Sequence, residues 1–162
     1  RQVFQKYVGD QDADLRASAL EGLGRIREPE DMPVITQAYD EKDADWKVHL
    51  AAAFASVSEG KVGAAEFSPL PYLVEALDTK TRADIATAYL TELVRRDDVR
   101  PALFPLVAPA TKDQKIALCS ILAASQSEDV IPTLNTLAKD IDPDVAFAAS
   151  RALRIAQAHR AS

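Results

Sequence analysis

The stretch Asp12 to Tyr39, DADLRASALEGLGRIREPEDMPVITQAY, decides the fold. Leu15, Ala19, Leu20, Leu23 and Ile26 recur at steps of three and four, which places them on one helical face. Asp12 and Asp14 stand where a carboxylate can accept the free N–H groups of a first turn. Arg25 and Arg27 stand in the last turn, where cations meet orphan carbonyls. Arg27-Glu28-Pro29 ends the helix, because the residue before a proline is pushed out of the α region. Glu30, Asp31 and Pro33 open a second helix whose stripe is Met32, Ile35, Ala38 and Tyr39. A short link between two helices sets them antiparallel. Neither can bury its stripe alone, so another hairpin has to stack on this one.

Working outward, the same hairpin recurs. First-helix anchors fall at Ala19, Leu50, Ala86, Ala117 and Ala149, 31, 36, 31 and 32 residues apart. One turn later come Leu23, Phe54, Leu90, Ile121 and Leu153. Second helices open with Pro33, Pro71, Pro101 and Pro132, followed by Ile35, Leu73, Leu103 and Leu134, then Ala38, Ala76, Leu106 and Leu137. A period of this length belongs to helical-repeat solenoids. The expected fold is therefore all-α, a right-handed solenoid of about four to five hairpins in a single domain over residues 1–162. Helices are predicted at 1–9, 13–27, 30–40, 44–58, 68–78, 80–96, 99–108, 112–125, 127–139 and 142–159. The extra residues of the longest repeat fall in a loop over 58–67. Pro101 and Pro105 predict a short or bent second helix in the third repeat. Apolar faces at both ends, and Arg1 rather than Met at the start, lead to the expectation of a segment of a longer protein.

Composition agrees. The 162 residues are 48% apolar with only 6% aromatics and five glycines, too few for a loop-rich β fold. The net charge of −6 and pI near 4.9 argue against a nucleic-acid duplex or an anionic membrane as partner. One cysteine forms no internal disulfide framework, and no window is long and apolar enough to span a bilayer. The compartment is not fixed by these features; the expectation is a soluble chain, with the cytoplasm the default.

The pattern Asp-x-Asp-x-Asp-Leu-Arg-x-x-Ala-x-x-x-Leu-Gly over residues 10–24, then Pro29-Glu30-Asp31 and a second helix, resembles the HEAT-like repeats of bacterial proteins, also found in phycobilin lyases. The closing copy, Asp140 to Val145 with Ala148, Ala149 and Leu153, fits equally well, with Ala146 in place of the usual arginine and Lys47 there in the second copy. The third and fourth copies match only in their apolar positions. The resemblance implies an α-solenoid with first helices on the convex side and second helices on the concave, binding side.

Each candidate site also has a plain structural reading. Asp10, Asp12 and Asp14 carry calcium-loop spacing, but Leu15 stands where such a loop needs glycine, and Asp140, Asp142 and Asp144 repeat the pattern as helix caps would. His49 and His159 are far apart and neither precedes a Glu, unlike the His-Glu pairs of the HEAT-repeat di-iron hydroxylase. Cys119 has no activating neighbour and reads as a packed thiol, Trp46 as an inter-repeat core residue. Arg95, Arg96 and Arg100, and the second group Arg151, Arg154, His159 and Arg160, are similar to the groove arginines of HEAT-like alkylpurine glycosylases. Asp97 and Asp98 interrupt the first, so a solvated face is expected. No metal, cofactor or catalytic residue is assigned.

Register places two rows outward on the second-helix side: Lys6, Gln37, Glu75, Pro105 and Thr136; and Gln5, Thr36, Val74, Phe104 and Asn135. This mixed polar surface suits a protein partner. The expected function is a non-catalytic protein-interaction scaffold, with Lys6, Gln37, Glu75, Phe104, Asn135 and Thr136 as contact residues and flanking domains of the same chain as further partners. A small-ligand lyase or chaperone with a pocket near Tyr72 and Phe104, or a DNA-binding glycosylase, are the alternatives.

Overall fold

The computed structural model describes residues 1–63, 65 and 67–161, except the side chains of 160 and 161. Ala64 and Glu66 of the expected loop, Ser162, and the Arg160 side chain of the second basic group lie outside the described residues. The protein is all-α: ten α-helices and no strand among the described residues. They are α1 Gln2–Tyr7, α2 Ala13–Ile26, α3 Met32–Asp40, α4 Trp46–Ser58, α5 Pro69–Glu75, α6 Ala83–Leu93, α7 Arg100–Leu103, α8 Lys112–Ala124, α9 Ile131–Leu137 and α10 Pro143–Ala161. Short 3₁₀ turns open or close α3, α5, α7 and α9. Every expected helix has its counterpart, and Pro101 and Pro105 do shorten the third second helix to four residues and a 3₁₀ turn at Phe104–Leu106.

The chain forms two compact units, residues 1–73 and 74–162, with α5 running through the boundary. In the first unit α2 packs on α1 and α4, and α3 packs on α4. In the second, α8 packs on α6 and α10, and α9 on α8 and α10. Helix α4 has no polar face: Leu50 to Ser58 are all buried. A helix apolar all round is a core helix.

The closest helix approach joins α2 to α4. A Cβ on Gly24 would stand 2.7 Å from Ala55 Cα. The Gly24 carbonyl there accepts a buried hydrogen bond from Ser58 Oγ at 2.8 Å. Gly24 thus sits where only glycine lets two backbones meet, and the Leu-Gly of the repeat pattern is its sequence mark. At the other end of α4, Gly60 takes φ 109°. Its N–H reaches Val57 O while Lys61 N–H reaches Ser56 O, the paired bonds that close a helix on a left-handed glycine.

Of the core rows, Ile35, Leu73, Leu103 and Leu134 are all fully buried, each stabilising by about 2 kcal/mol relative to exposure. The first-helix anchors hold at Ala19, Leu50, Ala86 and Ala149, but in α8 the buried residue is Leu118, and Ala117 is only half-buried. Two further expected core residues, Leu15 and Ile26, are 43% and 38% exposed at the two ends of α2. Leu106 is half-buried and Val107 takes its place, because the 3₁₀ turn rotates the face by about one residue. Leu153 is half-buried.

The shift to Leu118 makes the spacing from Ala19 a uniform 99 residues, and the same offset relates much of the two units. The N-caps Asp12 and Thr111 correspond, as do Pro33 and Pro132. Arg27 and Gln126, after α2 and α8, both take left-handed φ values, 62° and 60°. Arg1 bonds Glu30, and Arg100 bonds Asp129.

Candidate functional site

The acidic triplets are caps. Asp12 accepts from the amides of Asp14 and Leu15, and Asp10 accepts from Asp12. Asp142 accepts from Asp144 and Val145, and Asp140 from Asp142. Lysines then tie caps of neighbouring hairpins, Lys47 to Asp14 at 3.0 Å and Lys112 to Asp144 at 2.8 Å. Among the described residues no group of three or more His, Cys, Asp or Glu could hold a metal ion. The cap of α8 is a full capping box, Thr111 with Gln114, both reaching Asp78. The sequence Thr-x-x-Gln carries that signal.

The first basic cluster is a solvated face only at Arg95, which is exposed. Arg100 is buried, 4% exposed. Its guanidinium bonds both oxygens of Asp129 at 2.9 Å, the Val94 carbonyl at 3.0 Å, and Asp97. Burial opposes its charge, but the two carboxylates hold its pKa above the usual arginine value. Arg96 pairs with Asp98 at 2.7 Å. These acids neutralise the cations that a phosphate would need. Arg1 makes the matching contacts with Glu30 and the buried Asp31, and Gln5 also donates to Asp31. The signal for these staples, an arginine followed some thirty residues later by an acidic turn, was visible but had no pattern to attach to.

Cys119 is buried, and burial pushes its thiol up to about 11. Trp46 is half-buried, with the Lys47 ammonium 5.7 Å from its ring centroid. His49 is half-buried in α4 and belongs to an aromatic cluster that the sequence did not reveal. Its ring stacks on Tyr39 at 4.5 Å and meets the edge of Tyr72 at 4.4 Å. The Tyr39 hydroxyl donates to the Phe67 carbonyl. Phe67 is 80% exposed with φ 67°, a left-handed conformation that bulky residues rarely adopt.

Of the expected outward row, Lys6, Gln37, Glu75, Pro105 and Thr136 are all exposed. In the second row Asn135 is exposed, Phe104 and Thr36 are half-buried, and Val74 is buried, 5% exposed, contrary to expectation. Helix α5 bends into a 3₁₀ turn at Ala76, and that tightening turns Val74 inward.

Some of these residues border two clefts, one in each unit. The first, about 310 Å³, lies between the turn after α1 and helices α2 and α3, and is lined by Val8, Arg16, Val34, Gln37, Ala38 and Glu41. Arg16 crosses its floor, donating to Val8 O at 3.0 Å and to Glu41 at 2.9 Å. The second, about 290 Å³, includes Phe104, Val107, Lys115, Thr136, Leu137 and Asp140. Lys115 crosses it to Asp140 at 3.0 Å. The Asp142 amide and Lys115 hold the Asp140 carboxyl below the usual range. Gln37, Phe104 and Thr136 thus line clefts, whereas Lys6, Glu75 and Asn135 line neither. Tyr72 lies in the aromatic cluster of the first unit and Phe104 in the cleft of the second. A larger apolar groove, about 550 Å³, runs between α8 and α10 past Ile116, Phe147 and Ile155. No helix among the described residues is long and apolar enough to cross a membrane.

No protein-family model, curated protein or solved structure matches the chain.

Proposed function

We propose that this chain is a HEAT-like helical-repeat protein whose hairpins stack neighbour on neighbour into a right-handed solenoid, and that its second-helix surface holds a protein partner. Support for the stacking comes from the pairings within each unit, most of which join elements of the same or the next hairpin; the turn that closes α5 at Asp78 also reaches α8, one hairpin further on. The observation that carries the functional reading is the division of the second helices into two rows. The inner row, Ile35, Leu73, Leu103 and Leu134, is wholly buried, while Lys6, Gln37, Glu75, Pro105 and Thr136 are exposed and of mixed polarity. A repeated surface of that composition, beside a buried row, suits protein recognition better than phosphate binding.

The test is cross-linking of the protein in its native cell extract, with mass spectrometry to locate the linked peptides. Under this reading cross-links to other proteins concentrate on α1, α3 and α9. The combined variant Lys6→Glu, Gln37→Glu, Thr136→Glu removes them while circular dichroism stays unchanged. Partners that remain cross-linked to the variant at undiminished yield would refute the assignment of this face.

A further inference from the structure

The two clefts are the same site built twice. Val8, Arg16, Val34, Gln37, Ala38 and Glu41 stand 99 residues before Val107, Lys115, Thr133, Thr136, Leu137 and Asp140, and each member lines its own cleft. Five of the six positions keep their physical class. Apolar Val8 and Ala38 match Val107 and Leu137; Gln37 matches Thr136; and the Arg16–Glu41 pair matches Lys115–Asp140. The sixth, Val34, becomes Thr133, which keeps β-branching and size. Most aligned pairs are not identical residues, so it is the chemistry of the cleft that recurs.

We infer that each cleft receives one aliphatic or aromatic side chain of a basic peptide segment, and that a neighbouring Lys or Arg of that segment lies on the cleft's acidic rim. This rests on the protein-binding reading and names the partner's chemistry. A space of about 300 Å³ with apolar walls takes one large side chain and is at the lower limit for a small-molecule site. On the flanking segments carboxylates outnumber basic residues, and Arg1, Arg100 and Lys112 from neighbouring elements pair with some of them. Residues 28–45, which include α3, carry seven carboxylates against one lysine. Residues 127–144, which include α9, carry five against one. Helix α9 has no charged residue, and α3 has none before Asp40, so these acids lie at the ends of the two helices, Glu41 and Asp140 on the clefts themselves. Within the first cleft the carboxylate is the more accessible partner, Glu41 at 45% against Arg16 at 20%, and Arg16 is also tethered to the Val8 carbonyl. At the first cleft an incoming cation therefore finds exposed carboxylate oxygen; at the second the pair is evenly covered, Lys115 at 20% and Asp140 at 18%, so the first is the stronger site. Such complementarity sets partner choice and speeds encounter.

The probes are two acetylated, amidated nonapeptides, each with a central leucine between glycine spacers. One flanks the leucine with lysines, the other with glutamates. The readout is amide chemical shift across the 162-residue chain. The lysine peptide is expected to move amides of Val34–Ala38 and of Thr133–Leu137, with a stoichiometry of two. Gln37→Trp, which fills the first cleft from an exposed position, abolishes only the first set; Thr136→Trp abolishes only the second. The glutamate peptide binds about tenfold more weakly or not at all, and added salt weakens the lysine peptide. Equal binding of both peptides overturns the inference, as does a response mapping to Lys6, Glu75 or Asn135 that both tryptophan variants leave intact. So does silence from both peptides. In each of these cases the cross-linking result still decides the broader reading on its own.

Discussion

Replacing Gly24 by alanine should destabilise the protein, although alanine is the better helix former. The new Cβ would stand 2.7 Å from Ala55 Cα and 3.0 Å from Ala55 Cβ. Carbon atoms rest at about 3.5–4.0 Å, so α2 and α4 must part by most of an ångström. Ala55 Cα is backbone in a helix buried all round and cannot swing aside. Overpacking of this kind costs about 1–3 kcal/mol. Parting the helices also stretches the buried Ser58 to Gly24 bond, which contributes about 1 kcal/mol. Alanine returns about 1 kcal/mol of helix propensity. The net is a loss of about 2 kcal/mol, or a Tm lower by about 4–8 °C for a chain of this size. Urea and thermal melts followed by far-UV circular dichroism measure it. Gly9→Ala is the control, since a Cβ there meets nothing within 4 Å, and its stability should match the parent. Gly22→Ala should cost less than Gly24→Ala, because its Cβ meets the ring of half-exposed Phe4, which can turn away. A Gly24→Ala protein as stable as the parent would refute the reasoning and leave propensity as the governing effect.

Arg27→Gly should stabilise by about 1 kcal/mol in urea, since Arg27 holds φ 62° that glycine adopts without strain; an unchanged midpoint would count against it. Thr111→Ala should cost about 1 kcal/mol by removing both the cap of α8 and its bond to Asp78, read by the same melts. Cys119 should resist thiol reagents at pH 8 in the native protein, because burial lifts its thiol to about 11, and should react on unfolding; fast labelling of folded protein would contradict this. Asp31 and Asp140 both titrate below the ordinary carboxylate range, Asp31 chiefly through Arg1 and Asp140 through the Asp142 amide. A depressed folded pKa adds stability above the unfolded value near pH 4, lost as pH falls through the folded one. Denaturant midpoints should therefore drop below about pH 4, and less steeply in Asp140→Asn.

The helices were legible because their signals are local. Prolines at 33, 71, 101 and 132, Asp caps and the buried row Ile35, Leu73, Leu103, Leu134 all declare themselves within one hairpin. What the sequence hid lies between hairpins. Arg100 read as surface because its partner Asp129 is 29 residues away, and its burial exists only once the two meet. Ala117 was chosen over Leu118 because a one-residue slip on a helix turns a side chain by about 100°, and in an apolar run both fit the period. The aromatic cluster of Tyr39, His49 and Tyr72 joins three helices and leaves no periodic trace. The row from Lys6 to Thr136 is exposed because it is the complement of the buried one, whereas Val74 of the second row turns inward at the end of α5, and the clefts needed the side chains in place.

The stacking of hairpins, neighbour on neighbour, is tested most directly by hydrogen exchange on Leu134→Ala. Leu134 is fully buried in α9, and its truncation costs about 3 kcal/mol. In a chain stabilised by nearest-neighbour contacts the loss stays local. Amide protection is predicted to fall in α8, α9 and α10 while α2 and α4 keep theirs. An equal fall along the whole chain would mean one indivisible core, and would contradict the account.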